Sequence, residues 1–463
     1  MRLILRHLPL LALLALPLAV QALETPPVRE HKLANGMKLI VKEDRRAPIA
    51  VTQVWYRVGS SYEPNGITGI SHALEHMMFK GTEKYGPNQF SELIAEQGGS
   101  ENAFTGRDYT AYFQTLASDR LEIAFELEAD RMRNLTLDKD EFAKEIKVVQ
   151  EERRLRTEDK PKAFTFEKFS ATAFRVSPYR NPVIGWMSDL EAMQIDNLRD
   201  WYQRWYAPNN AILVVVGDVD PDQIIAMAEK HFGPLQPSEV TPLKPQLEPA
   251  QAGEMRLKVK APAKEPYLLM GFKTPVLSQA EEEWEPYALE MLQAVLDGGS
   301  SARIQKELVR GREIAVSASA DYSAFSRLPE MLSLDGIPAK GHSIAELEQA
   351  LLAEVEKLKQ APISAREMER VRNQLLAAKV YERDSVFYQA MQIGMLETIG
   401  LDWRLAENYV ERMRQVTPEQ VQAVARKYLV ADNLTVAELE PQPMDEKKQG
   451  FARPLISGGR HGG

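Results

Sequence analysis

Two histidines and a glutamate form the tightest group of chemically useful side chains in the sequence. His72 and His76 are four positions apart, with Glu75 between them. On an α-helix this spacing places the two imidazoles about 40° apart on one face, where they can bind one zinc ion. Glu75 would lie about 60° to the other side of His72, within reach of a water at the metal. The alternative is two solvated histidines on a charged helix, which gives this spacing only rarely by chance.

A catalytic zinc site needs a third protein ligand, and the chain contains no cysteine that could supply it. We interpret the other histidines of the mature chain as structural or solvated; they are His31, His231, His342 and His461. A helix predicted over 138–156 offers carboxylates at Glu145, Glu151 and Glu152. Glu145 and Glu152 are seven positions apart, so their side chains point about 20° apart around the helix axis and share a face. The Glu151 side chain is rotated from that face by about 100°. Spacing alone leaves the third ligand open.

The elements that must position these residues follow from hydrophobic periodicity and turn signals. We expect a hairpin or meander within 31–60, a helical block over 69–97, a strand over 103–116, helices over 119–133 and 138–156, and a buried strand over 211–217.

The two halves of the chain end alike. Residues 197–221 and 417–441 each contain a helix, an aromatic-containing turn, a hydrophobic strand, an acidic residue and a proline. Residues 237–256 contain four prolines and little apolar periodicity, which is typical of a linker. This pattern predicts a duplicated α+β unit, with repeats over 28–236 and 257–441 and a flexible tail over 442–463.

Composition limits the possible partners. The 463 residues carry 57 Lys and Arg against 66 Asp and Glu, a net charge of −9, with no basic stripe, so we expect no nucleic-acid partner. Residues 1–22 have a basic start and a short apolar run interrupted by Pro9 and Pro17. This is typical of a signal peptide cleaved near Ala22 rather than an uncleaved anchor. We therefore expect a protein that is periplasmic or otherwise exported, without stable membrane insertion after processing.

The motif residues resemble a known family. His72-Ala73-Leu74-Glu75-His76, with Glu152 lying 76 positions beyond His76, is similar to the inverted zinc motif of the pitrilysin/insulinase-like metallopeptidases. The resemblance implies that His72, His76 and Glu152 hold one Zn²⁺ per chain and that Glu75 is the general base. It also implies that Glu145 is the second acidic residue near the zinc.

The resemblance extends over nearly the whole mature chain. Residues 98–105 resemble the family's edge strand that binds peptide, which implies substrate contacts at Asn102, Ala103 and Phe104. Residues 296–303 are similar to the Gly-rich turn of the non-catalytic repeat. The family fold implies two similar repeats, each a mostly antiparallel sheet packed with helices, forming a half-shell. The first repeat would be the catalytic, zinc-binding one.

The chain departs from the family pattern at one place. Family members carry an Arg and a Tyr seven positions apart in the later repeat, and the aligned residues here are Val309 and Val316. Neither side chain can donate a hydrogen bond to a developing oxyanion. The departure implies a homologous partner subunit that supplies the pair, as a heterodimer or homodimer. A shifted alignment is the alternative, because similar residues lie nearby at Arg310, Arg312 and Tyr322.

The sequence thus predicts an exported zinc metallopeptidase that hydrolyses unfolded peptides or oligopeptides. A non-catalytic or chaperone-like subunit of an assembly and a processing enzyme for one dedicated precursor peptide are the alternatives.

Overall fold

The chain is described here by a computed structural model that covers residues 28–244 and 246–444. The predicted signal peptide lies outside these residues, as does the predicted tail apart from its first three positions. Within the covered ranges, no helix has both the length and the apolar character needed to cross a membrane.

The first sheet has six strands. They are β1 (Arg29–Lys32), β2 (Lys38–Glu43), β3 (Ile49–Tyr56), β4 (Ser100–Thr105), β5 (Thr110–Ala117) and β6 (Ala211–Gly217). Their order is β1-β2-β6-β3-β5-β4, with β2 and β6 parallel and every other pair antiparallel. β6 is buried at every position, because its continuous apolar run faces packed layers on both sides of the sheet.

The described residues of this half form eight α-helices. They are α1 (Ile70–Met77), α2 (Gln89–Glu96), α3 (Leu121–Arg133), α4 (Lys139–Arg153), α5 (Pro161–Ala173), α6 (Met187–Ala192), α7 (Ile195–Trp205) and α8 (Pro221–His231). The helical block expected over 69–97 consists of two helices, because α1 and α2 are separated by a loop containing Gly81 and Gly86-Pro87. The expected single strand over 103–116 is wrong. It is the hairpin of β4 and β5, whose turn is closed by the Gly106 amide donating to Tyr109 O at 2.8 Å.

The second half repeats the arrangement. Its strands are β7 (Met255–Pro262), β8 (Tyr267–Thr274), β9 (Ala315–Asp321), β10 (Glu330–Pro338) and β11 (Leu434–Gln442). Its helices are α9 (Trp284–Asp297), α10 (Ile344–Gln360), α11 (Ala365–Glu382), α12 (Val386–Thr398), α13 (Leu405–Gln415) and α14 (Pro418–Tyr428). The strand order β7-β11-β8-β10-β9 matches β2-β6-β3-β5-β4, including the one parallel pair. The predicted α+β fold with two similar sheets is confirmed.

The halves exchange helices. α12 of the second half packs on β3 and β6 of the first sheet, and α5 of the first half packs on β7, β8 and β11 of the second. The α12 contact is close, because a Cβ at Gly394 would lie 2.1 Å from Trp55 Nε1. Each sheet therefore buries one face under a helix from the opposite half.

The stretch between α8 and β7 forms neither helix nor strand in its described residues, yet it is anchored. The Glu248 carboxylate accepts hydrogen bonds of 2.9–3.1 Å from the backbone amides of 175–177, which follow α5. It also pairs with Lys273 Nζ on β8 at 2.8 Å. Glu248 therefore ties this stretch to both halves.

Candidate metal centre

The N-terminus of α1 is fixed by a turn that only glycine can make. Gly69 has a φ of +86°, and a Cβ there would lie 2.5 Å from Ile184 O. The buried Glu63 carboxylate accepts from the amides of Gly69 and Ser71 at 2.7 and 2.8 Å, satisfying two donors at the start of the helix. These contacts set the position of the helix that carries the motif residues.

The structure brings His72, His76 and Glu152 together. Glu152 Oε2 lies 3.7 Å from His72 Nε2 and 3.3 Å from His76 Nε2. All three donor atoms lie within 4.8 Å of one another. The imidazole rings are 4.7 Å apart between centroids, and the side chains are 8–17% exposed. α1 packs against α4, so the helix pair holds the two histidines opposite the glutamate.

Glu145 supports this group from one heptad earlier on α4. Its Oε1 lies 2.9 Å from His76 Nδ1, and its Oε2 lies 2.6 Å from Lys80 Nζ. Burial acts to raise the pKa of Glu145, but the contacts with His76 and Lys80 outweigh it and lower the pKa. A carboxylate on Nδ1 fixes the ring orientation and leaves Nε2 directed at Glu152.

Glu152 is held in its ionised form. Burial acts to raise its pKa, but contacts with His76 and His72 lower it to about 2. α4 ends at Arg153 and continues into a π-helical turn over Arg154–Glu158, from which Arg156 Nη1 reaches Glu152 Oε1 at 3.0 Å. Such turns occur frequently at functional sites.

Glu75 lies beside the donor set and is only 5% exposed. Its carboxylate accepts a hydrogen bond from the Thr105 hydroxyl at the end of β4. Burial raises the pKa of Glu75, partly offset by the Thr105 hydrogen bond. The contact between Thr105 and Glu75 could not be predicted from the sequence, because it arises only when β4 packs against α1.

These residues line a cavity of about 660 Å³. Ala103 and Phe104 line it too, whereas Asn102 does not and instead accepts a hydrogen bond from the Ala103 amide at 2.9 Å. β4 is the last strand of its sheet, pairing with β5 alone among the described strands. Its outer edge can therefore accept a further extended segment.

The second half contributes a brace at the cavity rim. Asp108, in the β4–β5 turn, accepts from Arg327 Nε at 3.1 Å and from Ser61 Oγ at 2.7 Å, and Tyr179 also donates to it. Arg107 in the same turn pairs with Glu330 at 2.6 Å. These contacts join the first sheet to the β9–β10 loop, and the sequence did not predict them.

The positions expected to carry the family's Arg and Tyr lie in the second half. Val309 packs partly buried against the second core, and Val316 on β9 is 58% exposed. Among the nearby alternatives, the Tyr322 hydroxyl donates to Pro275 O at 2.7 Å, and Arg310 donates to the carbonyls of Ser300 and Gln305. Tyr322 and Arg310 are thus engaged by backbone within their own half, and Arg312 Nη2 lies 3.7 Å from the Glu354 carboxylate of the same half.

The donor set fits zinc. Two imidazole Nε2 atoms and one ionised carboxylate oxygen converge on one point, and this is a set that zinc hydrolases use with a further coordination position left open. The remaining imidazole nitrogen of His76 is oriented by Glu145, as is common for histidines that bind metal.

Comparison with known proteins shows the class of protein to which the chain belongs. Residues 38–186 match the family described as "Insulinase (Peptidase family M16)", and residues 192–375 match "Peptidase M16 inactive domain". These matches place the chain among peptidase-type proteins. The zinc protease PqqE of Helicobacter pylori is 31% identical over 344 residues, covering 73% of this chain and 76% of that protein. The chain belongs to the insulinase family of M16 peptidases, and the predicted resemblance is confirmed.

Solved structures agree on the fold. A protease from Helicobacter pylori aligns with a TM-score of 0.85 and 27% identity, covering 90% of this chain and all of that one. The first half of the periplasmic protease PqqL from Escherichia coli aligns with a TM-score of 0.75, covering 93% of this chain and 97% of that one. At 18% identity, the second match shows the shared fold alone.

Proposed function

We propose that the chain is an exported zinc metallopeptidase that hydrolyses peptide bonds of unfolded peptides or oligopeptides. The observation that carries the proposal is the convergence of His72, His76 and Glu152 beside the buried Glu75 in one cavity. A bound Zn²⁺ supplies Lewis acidity there, which makes water a nucleophile near neutral pH. His72, His76 and Glu152 hold the ion, and Glu145 orients His76.

Glu75 moves the proton in this proposal. Its carboxylate takes a proton from the attacking water and returns it to the amine nitrogen that leaves. A raised pKa suits both steps, because the group must accept and release a proton near the working pH. Thr105 keeps the carboxylate oriented between the two steps.

The peptide would pair along β4 as an added strand. Backbone hydrogen bonds to the outer edge give affinity without strong side-chain selectivity, which suits unfolded substrates. Ala103 and Phe104 would contact the substrate from the cavity wall, and Asn102 would border the same strand edge.

A homologous partner subunit completes the proposed enzyme, as a heterodimer or homodimer. The family's Arg and Tyr are replaced by Val309 and Val316, so the hydrogen-bond donors for the developing oxyanion would come from another chain. Residues 28–236 form the proposed catalytic repeat, 257–441 the non-catalytic one, and 237–256 the linker between them.

Export is part of the proposal. The basic and apolar leader over 1–22 supports cleavage near Ala22, and the related PqqL is described as periplasmic.

The deciding experiment is the Glu75→Gln substitution, with zinc content measured beside cleavage of a peptide library. We expect unchanged zinc and an activity lower by several orders of magnitude. Wild-type cleavage should also stop with a chelator and return with zinc. Both proteins are assayed alone and with a homologue encoded nearby. A variant that keeps both zinc and full activity contradicts the assigned mechanism.

One observation favours a second candidate. Residues 192–375 match an inactive domain, so a non-catalytic or chaperone-like subunit is the alternative. This alternative predicts no chelator-sensitive cleavage with any partner. A processing enzyme for one dedicated precursor would instead leave the library intact and cleave a single peptide.

A further inference from the structure

Two cations line the cavity of the candidate metal centre without a carboxylate to balance them. Lys162 lies in the first turn of α5, and Arg180 lies in the turn after that helix. The Lys162 ammonium sits 4.9 Å from the ring centroid of Tyr267, and Arg180 donates to the carbonyl oxygen of Arg175 at 3.0 Å. Within residues 28–244 and 246–444, neither side chain forms an ion pair.

Apart from the Glu75 carboxylate, the other charged side chains of the cavity wall have partners of opposite charge among the described residues. Glu167 accepts two hydrogen bonds from the buried Arg153 guanidinium, at 2.8 and 3.2 Å. Arg107 is paired with Glu330. Glu167 therefore does not neutralise Lys162 or Arg180, although it lines the same cavity.

The cavity wall strengthens the effect of these two charges. Phe104 and Phe166 line it, and Phe166 is 45% exposed although it is a large apolar side chain. Apolar walls lower the local dielectric and focus the field of a charge into the cleft. A peptide in this cavity would therefore meet apolar surface together with excess positive charge.

We propose that this site selects peptides that carry a carboxylate within a few residues of the bond placed at the metal centre, with Lys162 and Arg180 as its specificity-determining residues. The inference rests on the proposed peptidase function. The carboxylate has two possible sources, an acidic side chain or the C-terminus of a short peptide, and both offer the same acceptor chemistry to these cations.

The test measures binding to the Glu75→Gln protein, so that no turnover is required. Three fluorescent peptides of equal length with capped ends carry Glu, Gln or Lys at the central flanking positions. A fourth has the Gln sequence with an uncapped C-terminus. We expect the Glu peptide to bind about tenfold more tightly than the Lys peptide, with the difference shrinking at high salt. Tighter binding of the uncapped peptide than of the capped Gln peptide instead identifies the C-terminal carboxylate as the source.

Charge reversal at the two cations provides the matched variants. The Lys162→Glu/Arg180→Glu double substitution should abolish or invert the preference, whereas Lys306→Glu in the second half, where the native side chain is 67% exposed, should not change it. Equal binding of all peptides, no binding of any, or a preference that survives the double substitution overturns the inference. Failure of the wild-type protein to cleave a peptide that it binds selectively counts against the proposed function alone.

Discussion

The Thr105 hydroxyl on β4 donates a hydrogen bond to the Glu75 carboxylate on α1. This contact joins the strand proposed to bind peptide to the residue proposed to move the proton. Hydrogen bonds to a buried charged group are worth about 1.5–3 kcal/mol, so this one is strong enough to fix the orientation of the carboxylate.

Replacing Thr105 by Val keeps the shape of the side chain and removes the donor. We expect kcat to fall about tenfold or more while zinc content stays unchanged, because the carboxylate loses its orienting contact. The acid limb of the pH–rate profile should move to higher pH, since the Thr105 hydrogen bond lowers the pKa of Glu75. Thr105→Ser should restore both properties. An unchanged kcat and pH profile in the Val variant would show that the contact has no role in catalysis.

Substituting Glu145 by Ala should weaken metal binding. The side chain holds His76 Nδ1 at 2.9 Å, and loss of such an outer contact typically reduces metal affinity about 10- to 100-fold. Competition with a chromogenic chelator measures the change. Glu141→Ala on the same helix is the control, because among the described residues the Glu141 carboxylate pairs only with the exposed Lys144. Equal zinc affinity in the two variants would show that Glu145 does not contribute to metal binding.

The contact between Asp108 and Arg327, which joins the two halves, should contribute measurably to the free energy of unfolding. Asp108 is only 5% exposed, and removing it takes away the carboxylate that pairs with the Arg327 guanidinium, which keeps only its hydrogen bonds to Ser61 among the described residues. We expect Asp108→Ala to lower the free energy of unfolding by about 1–3 kcal/mol. A double-mutant cycle with Arg327→Ala should give a coupling energy near 1 kcal/mol or more. The exposed pair Arg404–Asp402 should give a value close to zero. A coupling energy close to zero between Asp108 and Arg327 would contradict the proposed stabilising role of this contact.

Glu248 gives a pH-dependent contribution to stability. Burial acts to raise its pKa, but hydrogen bonds from the amides of 175–177 and from Lys273 lower it to about 2, from an ordinary value of 4.5. Because the folded-state pKa is depressed, the contribution is present above about pH 4.5 and is lost as the pH falls towards 2.

Urea unfolding of wild type and Glu248→Gln from pH 3 to 7 measures this contribution. The variant should be less stable by about 1–3 kcal/mol at pH 7, and the difference should narrow below pH 4.5. Glu239→Gln, in the same stretch between the halves, is the control. A difference that stays constant with pH would mean that the ionised form of Glu248 does not stabilise the fold.

Local pattern was enough to predict several features of the molecule. The apolar run of β6 and the four-residue spacing of His72 and His76 are short-range signals, and each predicts its element without knowledge of the rest of the chain. The duplicated order of features at the ends of the halves predicted the two sheets. The third member of the donor group, Glu152, needed the family resemblance, because charged helix faces are common.

Contacts between residues far apart in the chain could not be predicted from the sequence. Thr105 reaches Glu75 only through the packing of β4 on α1, and Arg327 meets Asp108 across 219 positions of chain. The β4–β5 turn was missed because Phe104, Thr105, Tyr109 and Thr110 around it are good strand formers, although Gly106 marks a hairpin turn.

The exchange of helices between the halves determines when the core of the first half can be completed during synthesis. The face of the first sheet that contains Trp55 stays uncovered until Val386–Thr398 has left the ribosome, although the motif residues emerge some 300 positions earlier. A shortened product ending at the linker would expose that apolar face and invite aggregation. The core of the first half is thus completed by a segment of the second half, late in translation.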